Sequence, residues 1–164
     1  MLTTLREDYF RALEEDEEQI GEQLECIRFV LGGEWFALQT RRTLEVLRMQ
    51  RLARVPRVES SIVGVFNLRG EITCATDIRP ILGLPTPPLS ASGRLLVLRG
   101  DSFRPAILVE AVQGVENFDQ SQFIGGTWSG RAGSGFVSGS FRKADREIYL
   151  LDSEQLLNSP LILA

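Results

Sequence analysis

GVFNLRGEITCATDIR occupies residues 64–79. Arg69-Gly70 separates two β-prone runs, 62–68 and 71–76. The spacing predicts two strands joined by a tight reversal over Leu68-Arg69-Gly70-Glu71, with Gly70 free to take a positive φ. On the first strand Val65 shares a face with Asn67, and Phe66 shares the opposite face with Leu68. Asn67 is placed to steady the turn by bonding its side chain to the backbone. A phosphate cradle of the Walker type is excluded, because no Gly-Lys-Ser/Thr follows. An arginine beside such a turn is ordinarily a solvated charge, so Arg69 acquires significance only from its wider setting.

Outward from this pair the same pattern repeats. CIRFVL (26–31) and EWFAL (34–38) flank Gly32-Gly33, a two-residue hairpin signal. TRRTLEVLR (40–48) fits a helix through Leu44 and Leu47, and a strand through Thr43 and Val46. A Pro/Gly/Ser connector (83–93) precedes two apolar runs, 94–100 and 105–112. The glycine-rich stretch 120–135 reads as a loop, with Trp128 packing back onto the body of the protein. FVSGSF (136–141) and EIYLL (147–151) return to strand. Asp152 caps a short closing helix, with Gln155 three residues on. The first 25 residues read differently, as an acidic amphipathic helix with Thr4 and Glu7 as a capping box and Gly21 near its end. Many short strands between glycine turns predict a mainly β protein, small barrels or a sandwich.

The 164 residues are 43% hydrophobic, enough for a packed core. No run approaches about 18 apolar residues, and the first residues lack a signal-peptide pattern, so the expectation is a cytoplasmic protein with no membrane insertion. Cys26 and Cys74 read as reduced thiols. Histidine is absent, which removes an imidazole base, a Ser-His-Asp triad and a phosphohistidine relay. No paired acids suggest catalysis, and no cofactor or metal site is indicated. The net charge of −4 is unevenly placed. Residues 1–25 carry nine acids against Arg6 and Arg11, a net of −7, which leaves +3 for the remainder. Six arginines fall between Arg41 and Arg57, with Glu45 the only acid among them. That run lacks aromatic residues for base stacking, so nucleic acid is not the expected partner; a solvated face or a contact with the chain's own acidic segment fits it better.

The spacing of Glu45, Arg54-Val55-Pro56, the run Ile62–Gly70 and Asp77-Ile78-Arg79 resembles the CheW family, the coupling proteins of bacterial chemosensory arrays. The family signature has the form G-V-x-N-L-R-G-x-[VI]-x-P-x-x-D-L-R, and GVFNLRGEITCATDIR follows it without a gap. RLLVLRG, AILVEAVQGV and LLDSEQLLN also look like the family's later segments, so the resemblance covers about residues 26–159. It implies two small five-stranded SH3-like barrels around a shared core, here divided into about 26–82 plus 147–159, and about 94–141, with 83–93 as linker. It also implies a non-enzymatic scaffold that joins chemoreceptor cytoplasmic tips to the regulatory domain of a histidine kinase, recruited to membrane receptor arrays, with self-association as a further expectation. Carried over by position, Thr43, Glu45, Val46, Gly64, Asn67 and Arg69 are the expected partner-binding residues, with Glu45 and Arg69 as an ion pair. The chain departs from the family at Cys74, where proline is usual, at Glu110, where aspartate is usual, and in its acidic extension. The alternative is a free-standing SH3-like module for peptides.

Overall fold

A computed structural model of the chain describes residues 22–56 and 58–162. The predicted N-terminal helix lies outside that range as far as Gly21, and so does its capping box. Eleven strands follow in order: β1 (Gln23–Leu31), β2 (Glu34–Gln39), β3 (Thr43–Arg48), β4 (Ile62–Leu68), β5 (Glu71–Thr76), β6 (Arg94–Leu98), β7 (Ala106–Val109), β8 (Ala111–Asp119), β9 (Ile124–Gly125), β10 (Val137–Lys143) and β11 (Arg146–Leu151). A short helix, α1 (Ser153–Leu157), closes the described chain, and the Asp152 side chain accepts a hydrogen bond from the Gln155 amide as expected. The strands form two sheets, in the orders β8-β1-β2-β11-β10-β9 and β3-β6-β7-β5-β4.

Each sheet curls on itself. In the first, Phe118 of β8 and Phe141 of β10 stack with ring centroids 4.7 Å apart although three strands lie between them in the sheet. In the second, Ala53 and Val65 exchange backbone hydrogen bonds of 2.8 Å, so the chain leaving edge strand β3 is pinned to edge strand β4. The central strands are buried on both faces, which is why they read as unbroken apolar runs rather than alternating ones. On β6, Leu95 and Val97 fill the interior of the five-stranded barrel, while Leu96 and Leu98 face a core shared by the two barrels. β7 repeats this with Ala106 and Leu108 inside, and Ile107 and Val109 in the shared core. From the other side β2 sends Phe36 and Leu38 into the shared core and Ala37 into its own barrel. Three apolar cores therefore hold the molecule, one within each barrel and one between them. Each fully buried Leu or Phe side chain in them contributes about 1.5–3 kcal/mol.

The pairing corrects two expectations and settles one open reading. First, β1 begins at Gln23, so residues 23–25 are strand and not the end of a helix. Second, residues 40–48 are a 3-10 turn at Thr40–Arg42 followed by β3. The helical spacing of Leu44 and Leu47 has a strand explanation: a bulge between Thr43 and Glu45 sets an extra residue against β6, so both leucines reach the same barrel core. Third, the barrels are not divided as expected. One takes residues 23–39 and 111–151, the other 43–109. The chain changes barrel at Thr40–Arg42 and again at Glu110, because β1 pairs with β8 and β3 pairs with β6. The 83–93 connector lies within the five-stranded barrel's span rather than between barrels. The glycine-rich stretch is also more structured than a loop: it supplies β9 and the fully buried Trp128, which packs against Phe36 and Tyr149.

Candidate docking surface

The β4–β5 hairpin turns on two residues, with Leu68 paired to Glu71. Both central residues have positive φ, 49° at Arg69 and 89° at Gly70, the conformation that matches the right-handed twist of the strands. Glycine takes this at no steric cost, whereas arginine adopts it uncommonly. Two contacts hold it. The Gly70 amide donates to Asn67 Oδ1 at 2.8 Å, the turn bond expected of Asn67. The Arg69 guanidinium donates from Nη1 to Glu45 Oε2 at 2.5 Å and from Nη2 to Glu45 Oε1 at 2.9 Å. The expected ion pair thus forms, in the two-pronged geometry that suits arginine and carboxylate. Arg69 holds the Glu45 carboxyl below its ordinary range, chiefly through this hydrogen bond, and Glu45 raises Arg69 in turn.

β3 and β4 are the two edges of the five-stranded sheet. The Glu45–Arg69 pair therefore reaches across the mouth of the barrel from one edge strand to the turn beyond the other. Arg69 remains 72% exposed and Glu45 24% exposed, so the guanidinium side of the clasp lies open to solvent. Val46, the next residue on β3, is an exposed apolar side chain. Nearby Arg104 pairs with Glu71 at 3.6 Å, and Ile72 beside it is 78% exposed. Sequence reasoning missed Ile72 and Arg104. The signal for Ile72 was parity: Phe66 faces inward and pairs with Thr73, so Ile72, opposite Asn67, must face out.

The other expected contact residues divide. Thr43 starts β3 ahead of the bulge, half-buried, its hydroxyl 3.4 Å from the Gln39 carbonyl oxygen. Gly64 is buried. A Cβ there would lie 2.8 Å from the Ala53 carbonyl oxygen and 2.9 Å from Leu52 Cβ. Its absent side chain is what lets the 52–54 segment bridge to β4.

Asp77-Ile78-Arg79 does different work. Arg79 is buried and donates from Nε and Nη2 to the two Asp77 oxygens at 3.0 and 2.9 Å. Its Nη1 donates to the Pro87 carbonyl at 2.9 Å and to Glu110 Oε2 at 3.2 Å. Glu110 also accepts from the Gly32 amide at 2.5 Å, and so ties the β1–β2 turn of one barrel to the end of β5 in the other. These bonds, first those to Asp77, push Arg79 further up and keep it charged. Among the described residues no three His, Cys, Asp or Glu side chains could hold a metal ion, and no helix is long and apolar enough to cross a membrane.

A family model for the CheW-like domain matches residues 25–161. The chain belongs to the CheW-like family. Similar curated proteins include the chemotaxis protein CheW of Bacillus subtilis, 28% identical over 65% of this chain and 67% of that protein. The chemotaxis protein CheW of Helicobacter pylori is 33% identical over 52% of this chain and 50% of its own length. Protein PilI of Pseudomonas aeruginosa is 30% identical over 59% of this chain and 54% of its own. The CheW-like chain thus aligns with about half to two thirds of the length of these relatives. The crystal structure of the scaffolding protein TtCheW from Thermoanaerobacter tengcongensis superposes with a TM-score of 0.74, covering 80% of this chain and 85% of that one at 21% identity. That likeness shows the CheW-like fold of two SH3-like subdomains.

Proposed function

We propose that this CheW-like chain is a non-enzymatic cytoplasmic scaffold. It couples the cytoplasmic tips of chemoreceptors to the regulatory domain of a chemosensory histidine kinase, in a swimming, twitching or gene-regulatory pathway, and is recruited through them to receptor arrays. The Glu45–Arg69 clasp carries the reading. It fixes an uncommon arginine backbone conformation at the mouth of a barrel and leaves the guanidinium mostly exposed, with Val46 and Ile72 as apolar ground beside it. A rigid charged frame around aliphatic side chains is suited to moderate, multivalent contacts. Asn67 acts by holding the turn, Thr43 by anchoring the start of β3, and Gly64 by shaping the barrel edge. The alternative peptide-binding reading needs an exposed aromatic groove. Among the described residues the exposed large apolar side chains are Val46, Val55, Ile72, Val115 and Ile124, all aliphatic.

The test is reconstitution from the source cell's own receptor fragment and kinase. Arg69→Ala and Glu45→Ala should each weaken co-sedimentation with one of these partners by about tenfold or more, while circular dichroism stays unchanged. Unaltered binding by both variants would remove the clasp from the interface.

A further inference from the structure

Six arginines on the five-stranded barrel and its entry turn lack a carboxylate partner among the described residues: Arg41, Arg48, Arg51, Arg54, Arg94 and Arg99. All but Arg94 are exposed. Arg48 stands directly opposite Arg94 across β3 and β6, a like-charge pairing that disfavours the sheet unless something screens it. Arg94 spends its Nη1 on the Ala91 and Gly93 carbonyls, and Arg41 donates to the Gln39 amide oxygen, so neither charge is neutralised. The Ala53–Val65 bridge holds the chain from Arg51 to Arg54 against β4, within about 20 Å of Arg48 along the backbone.

We propose that residues 1–21 bind this arginine face in cis. The segment carries seven acids (Glu7, Asp8, Glu14, Glu15, Asp16, Glu17, Glu18) against Arg6 and Arg11, a net of −5, and so complements it. It joins the described chain at Glu22, which lines the same shallow depression as Arg41. From there β3 carries the face onward to Arg48, a span of about 20 Å. Twenty-one residues reach that far even as a random coil, whose mean span is about 25 Å. Tethering supplies an effective concentration in the millimolar range, so weak ion pairs suffice. A segment lying from Arg41 to Arg48 crosses Val46. Bound, it would shield the strand that also carries Glu45, a consequence that rests on the docking reading, whereas the contact itself does not.

The experiment uses the full chain with a nitroxide at Glu15→Cys. Cys26 is fully buried, with its thiol pushed up to about 12 by burial, and stays unlabelled. Cys74 is replaced by alanine. Strong loss of amide NMR signal at Arg41, Arg48, Arg51 and Arg54 is expected, and it should be reversed at about 1 M salt, where the screening length is about 3 Å. Arg48→Gln, Arg51→Gln and Arg54→Gln together should reverse it at low salt. Loss confined to other parts of the surface, no loss anywhere, or loss that salt leaves intact overturns the proposal. So does the same loss on isotope-labelled, spin-free chains mixed with spin-labelled ones, which would assign the contact to a second copy. Because the readout is intramolecular and needs no receptor or kinase, its failure is separate from failure of the scaffold reading.

Discussion

Arg79 and Glu110 meet at 3.2 Å although Arg79 follows the last residues of β5 and Glu110 is where the chain leaves that barrel for the other. Glu110 completes the link by accepting the amide of Gly32 across the barrel boundary. The network sets the relative placement of the two barrels with polar bonds where the shared core sets it with apolar contact. Removing one partner leaves a buried charge without its counter-ion, which is costlier than never having the pair. Arg79→Met should therefore lower stability by about 3–5 kcal/mol in urea unfolding. Glu110→Gln, which keeps an acceptor for the Gly32 amide, should cost less. Equal effects of the two variants would show that the Glu110 charge, and not only its acceptor for the Gly32 amide, carries the link.

Trp128 is the largest fully buried side chain, and a glycine-rich segment delivers it. Its Nε1–H donates to the Ala132 carbonyl at 2.8 Å, Tyr149 meets it edge-on at 4.6 Å, and the Arg131 guanidinium lies 3.4 Å over its ring. Trp128→Ala should lower stability by about 3–5 kcal/mol. Trp128→Phe should recover much of that loss while leaving the Ala132 carbonyl unpaired. Thermal unfolding followed by the remaining Trp35 fluorescence measures both.

The strands were legible in the sequence because the runs at 35–38 and 95–98 are apolar on both faces and 26–31 is apolar but for Arg28, as strands between two cores must be. The turns at Gly32-Gly33 and Arg69-Gly70 were legible through their glycines, whereas the Ala144-Asp145 turn between β10 and β11 has none. The allocation of strands to barrels was not, because it depends on β1 reaching β8 and β3 reaching β6, pairings that no local pattern encodes. The clasp was visible only through family resemblance, since Glu45 and Arg69 are 24 residues apart. Glu110 stood out in the sequence only as a departure from the family's usual aspartate. Its function depends on a turn 77 to 78 residues earlier in the chain.

Gly64 separates two roles that the sequence could not. As a contact residue it would tolerate alanine in the free protein and lose only binding. The structure instead leaves no room for a Cβ between Gly64 and the Ala53 carbonyl and Leu52, so Gly64→Ala should push the 52–54 segment from β4 and destabilise the fold by about 1–3 kcal/mol. Hydrogen exchange should accelerate first at the Ala53 and Val65 amides, which bond to each other's carbonyls. Unchanged protection there, together with weakened receptor binding, would restore Gly64 to the interface.

The clasp also predicts a pH dependence with a definite sign. Arg69 lowers the Glu45 pKa from its ordinary 4.5, mainly through their hydrogen bond. The folded protein therefore binds that proton less readily than the unfolded chain, and the clasp's contribution is complete above pH 4.5 and disappears as pH falls through the lowered value. Glu45→Gln lacks the charge at every pH. Its Tm should lie below that of the unaltered chain by a constant interval near neutrality, and the interval should close in acid. Because the pair is exposed, the same interval should shrink as salt is added at neutral pH. An interval that persists in acid would mean that Glu45 supports the barrel mouth through its packing against β3 and the turn, with the charge contributing only orientation to Arg69.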